Sequence, residues 1–219
     1  MLSWLRRIRS PKDGREGLAQ NAASIAGVIA AATEALNAGE LGRAALGYRQ
    51  ALSLDPNDAG VRVGLSAALI GQALYVEAKA HLNRAILLDP ASANAYFFLG
   101  KIAQLQRDLP AAIELFNEAL DLNPELDVAY AYLSTTLLDS GRSEAAEEVL
   151  KNALAVRPHS VQININLGTL YSAFNQLEQA EQCYQKALKI SPASYDAHSN
   201  MGVIFLKQGD TAEIGRAHV

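Results

Sequence analysis

The residue types capable of covalent or metal chemistry are few, and their spacing does not assemble them. His81, His159, His198 and His218 are scattered, with no pair at the short intervals that metal ligands need. Each is expected to be a surface or packing histidine. Cys183 is the only cysteine and has no histidine near it in sequence to draw off its proton, so a partly buried, inert thiol is expected. Glu147 and Glu148 are adjacent and read as a solvated helix face rather than an acid/base pair. No glycine-rich phosphate loop with its lysine, no dinucleotide fingerprint and no paired metal motif occurs. The expectation is no catalytic, cofactor-binding or metal-binding residues, no cofactor, and no enzyme in the chain as it stands.

The elements that carry these residues follow a strict period. Pro56, Pro90, Pro124, Pro158 and Pro192 are separated by 34 residues each time. Proline lacks an amide donor and pushes the preceding residue off the α region, so each marks a break between helices. Ala44, Ala78, Ala112, Ala146 and Ala180 lie 12 before each proline, and Ala51, Ala85, Ala119, Ala153 and Ala187 lie 5 before. A large residue recurs between them: Tyr48, Leu82, Phe116, Leu150 and Tyr184. In the third unit Tyr96, Leu99, Gly100 and Ala103 share one helix face. Each unit therefore reads as two antiparallel helices whose apolar faces are buried only when neighbours stack. Gly39, Gly141 and Gly209 fall at the turn between the two helices, and Pro110 sits at the first turn of a helix, where proline is tolerated.

Half of the 219 residues are apolar but only 6% are aromatic, and net charge is −4. Small residues suit close helix packing, and the chain has no global basic footprint for nucleic acid. A single cysteine makes a reducing compartment, the cytoplasm, the easier home. Residues 1–22 differ: Arg6, Arg7, Arg9, Lys12 and Arg15 crowd a segment with Leu2, Trp4, Leu5 and Ile8. It reads as a solvated disordered tail, as an interfacial anchor making weak membrane-surface contact through Trp4, Arg6, Arg7 and Arg9 at the inner membrane, or as an export signal.

The pattern Tyr96, Leu99-Gly100, Ala103, Ala112, Phe116, Ala119, Pro124 resembles the tetratricopeptide repeat (TPR) family, in its bacterial type. Leu167-Gly168, Tyr171, Ala180, Tyr184, Ala187 and Pro192 repeat it, and Met201-Gly202 and Phe205 begin it again. Val28, Ala31 and Ala32 depart from it in the first unit. The resemblance implies an all-α, right-handed superhelical solenoid of antiparallel helix pairs. Repeats are expected at about 25–58, 59–92, 93–126, 127–160 and 161–194, with a partial one at 195–212 inside an array of 23–212. Family first helices line the concave face. That places Asn94, Phe97, Phe98, Lys101, Tyr132, Thr135, Ile165, Asn166, Thr169 and Asn200 in a peptide-binding groove, although Phe97 and Phe98 are equally suited to packing between repeats. The clamp of lysine, arginine and asparagine with which chaperone cochaperones hold a carboxylate-ended peptide tail is not expected, since only Lys101 is basic among the mapped positions. The asparagine ladder of sugar-transferring TPR enzymes keeps two rungs, Asn166 and Asn200. Amides at that spacing can hydrogen-bond an extended peptide backbone whatever its sequence.

The expected function is a protein–protein interaction scaffold holding an extended peptide or a partner helix, with a protein or peptide as partner and no nucleic acid. Two alternatives stay open. One is the substrate-recognition arm of a larger enzyme, such as an O-linked N-acetylglucosamine transferase-like glycosyltransferase or a sulfotransferase. The other is a peripheral membrane assembly factor. Nothing in the sequence signals an oligomeric state. Residues 213–219 break the beat, since Ile214 stands where alanine is due. Back-translated as GAG ATC GGA AGA GCA CAC GTC, they resemble a sequencing-library adapter. The natural frame is expected to end near Thr211 or Ala212, making the chain an amino-terminal fragment. The truncated last unit is expected to leave Met201, Ile204 and Phe205 partly uncovered.

Overall fold

A computed structural model describes residues 11–209, with side chains from Ser24 onward. The described residues form α1 (Pro11–Asn37), α2 (Leu41–Leu54), α3 (Ala59–Gly71), α4 (Tyr75–Leu88), α5 (Ala93–Leu105), α6 (Leu109–Leu122), α7 (Asp127–Asp139), α8 (Ser143–Val156), α9 (Val161–Ala173), α10 (Leu177–Ile190) and α11 (Tyr195–Gln208). No strand occurs among them. The fold is all-α, as the period predicts. Leu2, Trp4, Leu5, Arg6, Arg7, Ile8 and Arg9 lie outside the described residues, as do 210–219. α1 starts at Pro11, so helix extends into the stretch read from sequence as a tail.

The chain divides into two compact units, Met1–Phe98 and Leu99–Val219, with the boundary inside α5. In the first, α1 packs on α2, α2 on α3 and α3 on α4, with a further contact between α1 and α3. In the second, each helix from α6 to α11 packs on the next, and the first helices α7, α9 and α11 also touch in succession.

The sequence beat is the packing beat. Ala44, Ala78, Ala112, Ala146 and Ala180 are all fully buried, and the large residues Tyr48, Leu82, Phe116, Leu150 and Tyr184 are no more than 4% exposed. Alanine allows close helix approach, and the large side chain fills the gap beside it. Glycine takes this furthest. A Cβ on Gly100 would stand 2.8 Å from the Phe116 ring, and one on Gly168 would stand 2.6 Å from that of Tyr184.

Every helix pair turns through one left-handed residue: Gly39, Ala73, Arg107, Gly141, Asn175 and, at the end of α11, Gly209, with φ between 57° and 79°. In the five complete pairs the next residue donates its amide to the carbonyl five back, for example Glu40 to Ala35 and Asp108 to Ala103. These paired bonds close the helix ends, so Ala73 and Arg107 take a conformation that L side chains resist. Following helices start on side-chain caps where the sequence supplies one. Asp58, Asp108, Ser160 and Ser194 accept from the amides of Val61, Ala111, Ile163 and Ala197.

One expectation is corrected. Met201 and Ile204 are not uncovered; they are 5% and 0% exposed, on a helix that packs against both α10 and α9. Phe205 is half-buried, while Tyr195, Val203 and Leu206 are exposed on α11.

Candidate functional site: the first-helix face of the second unit

Cys183, His81, His198 and Glu147 are engaged in packing or pairing. Cys183 is buried, and burial pushes its thiol up despite Lys186 nearby. His198 meets the Pro192 carbonyl at 2.8 Å, and His159 is exposed. His81 lies in the first unit, half-buried between Arg62 (3.3 Å) and Glu77 (3.8 Å). Glu147 pairs with Lys151 at 2.6 Å and accepts from the Tyr171 hydroxyl at 2.9 Å. Those bonds, Lys151's first, hold its carboxyl below the usual carboxylate range. No group of three or more potential metal ligands occurs among the described residues. No described helix is long and apolar enough to cross a membrane.

The sequence-derived groove residues fall in both units. In the first, Asn94 is exposed on α5. Phe97 and Phe98 meet edge to face, ring centroids 5.2 Å apart. Phe97 is only 6% exposed and Phe98 half-buried, so Phe97 serves chiefly as packing. In the second unit Ile165 is likewise packed, at 5% exposure. Both lie on the buried side of their helices, one residue before the position read from sequence as the ladder.

The remaining candidates lie on the first helices of the second unit. The carboxy-terminal half of α5 and the turn that follows it are joined to α7 by three cross-links. Lys101 Nζ sits 5.5 Å from the centroid of the Tyr132 ring. Gln104 Nε2 donates to Thr136 Oγ1 at 2.9 Å, and Arg107 pairs with Asp139 at 3.4 Å. A surface depression opens beside them, lined by Gln104, Ala131, Tyr132 and Thr135. Tyr132 also leans on Phe116, ring centroids 5.8 Å apart. Its position is therefore half packing and half surface. Tyr48 and Gly64 repeat that relation in the first unit, where a Cβ on Gly64 would stand 2.7 Å from the tyrosine ring.

Further along, the face turns to amides and hydroxyls. Gln162 donates to Asn166 Oδ1 at 3.1 Å, while Asn166 Nδ2 is buried with no hydrogen-bond partner. Thr169 donates to the Ile165 carbonyl and accepts from Tyr184 at 3.3 Å. Burial pushes the Tyr184 hydroxyl above its ordinary value. Asn200 is half-buried on α11. Thr136 was not among the residues read from sequence as candidates. The signal lay in its register: Ile102, Leu170 and Ile204 hold that position in the neighbouring units, so a hydroxyl there marks a polar link.

Comparison with known families decides the class. Tetratricopeptide repeat profiles match residues 68–127, 103–153 and 137–188, and a TPR repeat profile matches 170–209, together running unbroken from 68 to 209. The chain is a tetratricopeptide repeat protein. Among solved structures, this TPR protein is similar to a thermophilic TPR protein of Thermus thermophilus, at 21% identity and a TM-score of 0.71, over 83% of this chain and 99% of that one. It is similar to Pseudomonas aeruginosa pilF at 16% identity and 0.69, over 90% of each chain. YrrB, described as a TPR protein with an unusual peptide-binding site, matches at 19% and 0.52, over 78% of this chain and 88% of that one. At these identities the likeness is one of fold. No curated protein matches.

Proposed function

We propose that this TPR protein is a protein–protein interaction module, holding an extended peptide or partner helix along the first-helix face of its second unit. The cross-linked pair α5 and α7 carries the reading. Two side-chain contacts hold these helices side by side and a third ties the turn after α5 to Asp139, and a depression with an aromatic wall opens on the same face. Preformed concavity with an aromatic anchor and a few polar groups is what peptide docking requires. Thr135, Asn166, Thr169 and Asn200 continue the face with groups that can pair with a peptide backbone. That YrrB is described as having a peptide-binding site is in keeping with this use of the fold.

The test is affinity for individual peptides selected from a random-sequence array, measured with the native chain, Tyr132→Ala and Asn166→Ala. Removing an interface anchor costs about 2 kcal/mol or more, roughly thirtyfold in Kd. Tyr132→Ala should weaken binding by about that factor and Asn166→Ala by several-fold. Unchanged affinity in both variants would reject the site.

A further inference from the structure

We infer that the depression beside α5 and α7 selects a peptide carrying an acidic residue two positions from an aliphatic one. This rests on the peptide-docking reading above and specifies its ligand. Charge supplies the first element. Two cations lie on this part of the helix pair. Arg107 is paired with the Asp139 carboxylate at 3.4 Å. Lys101 is paired with no carboxylate among the described residues; its ammonium is held over the Tyr132 ring at 5.5 Å. A cation on a half-exposed aromatic face keeps most of its hydrogen-bonding capacity, and a carboxylate can use that capacity without displacing the ring.

Apolar surface supplies the second element. Ala131 offers a methyl group and Tyr132 a ring. Thr135 donates its hydroxyl proton to the Ala131 carbonyl at 2.8 Å, and Gln104 donates its amide to Thr136. Those two bonds are made within the protein, and the methyl group and the ring make the lining more hydrocarbon than polar. An aliphatic side chain fits that surface, whereas a charged one would lose hydration there without a partner.

Spacing connects the two elements. In an extended chain, residues two apart project on the same side, about 6.6 Å from each other. The Lys101 ammonium and the centre of the ring that walls the depression are 5.5 Å apart, a separation that two such side chains can span. A Glu or Asp on Lys101 thus places the side chain two residues away against Tyr132. An internal acidic residue suffices; no free carboxyl terminus is involved.

The experiment measures the native chain, Lys101→Met and Lys101→Glu against labelled Ala/Ser-background peptides with Glu-Ser-Leu, Lys-Ser-Leu or Glu-Ser-Ser at the centre, beside a random-sequence peptide pool. The native chain should bind the Glu-Ser-Leu peptide at least about tenfold more tightly than either other peptide. Lys101→Met should level the two leucine peptides, and Lys101→Glu should reverse their order. Native binding that is indifferent to peptide charge, while pool peptides still dock, overturns this inference alone. Failure of every peptide, pool included, overturns the docking reading and this inference with it.

Discussion

Gly168 and Tyr184 leave no room for a methyl group between them: a Cβ at position 168 would lie 2.6 Å from Cε1 of the tyrosine and 2.9 Å from Cδ1. The ring cannot step aside, since Tyr184 is 2% exposed and its hydroxyl is tied to Thr169. Gly168→Ala gains about 1 kcal/mol of helix propensity but overpacks a filled core, at about 1–3 kcal/mol. A net loss of up to about 2 kcal/mol is expected, seen as a lower urea midpoint. An unchanged or raised midpoint would show that the contact yields.

The left-handed turns give a contrasting pair. At Gly141 φ is 77° and a Cβ would meet nothing within 4 Å, so Gly141→Ala is a pure backbone change. It should cost about 1 kcal/mol. Ala73 and Arg107 hold the same conformation without glycine. Ala73→Gly should stabilise by a few tenths to about 1 kcal/mol, after the entropy that glycine adds to the unfolded chain; Arg107→Gly should gain less, because it also deletes the pair with Asp139. Differential scanning calorimetry across the three variants tests both signs.

In the first unit, His81 sets a pH dependence. Burial lowers its pKa first, then the charge of Arg62, with Glu77 opposing and Arg49 adding a smaller push. The unfolded chain, with its ordinary value of 6.5, therefore takes up the proton before the folded one. Stability from this group is complete above about pH 6.5 and is lost as pH falls through the lower folded value. Urea midpoints should decline below about pH 6.5 in the native chain, and His81→Gln should flatten that decline. An equal slope in the variant would assign it to other groups.

Cys183 should be a slow thiol. Its buried sulfur and raised pKa both suppress thiolate attack. An aromatic disulfide reagent at neutral pH should label the native chain at least about tenfold more slowly than the urea-unfolded chain. Comparable rates would mean that α10 opens readily.

Much of this architecture is legible in the sequence because its packing is periodic. Counting from Pro124 locates Ala112, Phe116 and Ala119, and each is fully buried. The same count from Gly39 reaches Ala73 and Arg107, yet neither residue type suggests positive φ. The helix-end hydrogen bonds impose that conformation, and side-chain preference is overridden. The docking face was less legible for a related reason. A ladder residue such as Tyr132 meets the large residue of the preceding pair, Phe116, on one side and open surface on the other. Residue type alone cannot divide those roles. Nor does spacing along the chain disclose that Lys101 and Tyr132 meet, because side-chain reach and helix rotation decide that contact. Phe97 and Ile165 look like surface anchors by register and are packing by burial.

Docking of a ligand across the first helices is the central proposal. Its most direct test is residue-resolved amide mapping, by nuclear magnetic resonance or hydrogen exchange, of the native chain with and without an array-selected peptide. Changes should cluster at Lys101, Gln104, Ala131, Tyr132 and Thr135 and extend toward Asn166 and Thr169. Changes confined to the second helices α6, α8 and α10, with the first helices undisturbed, would contradict it.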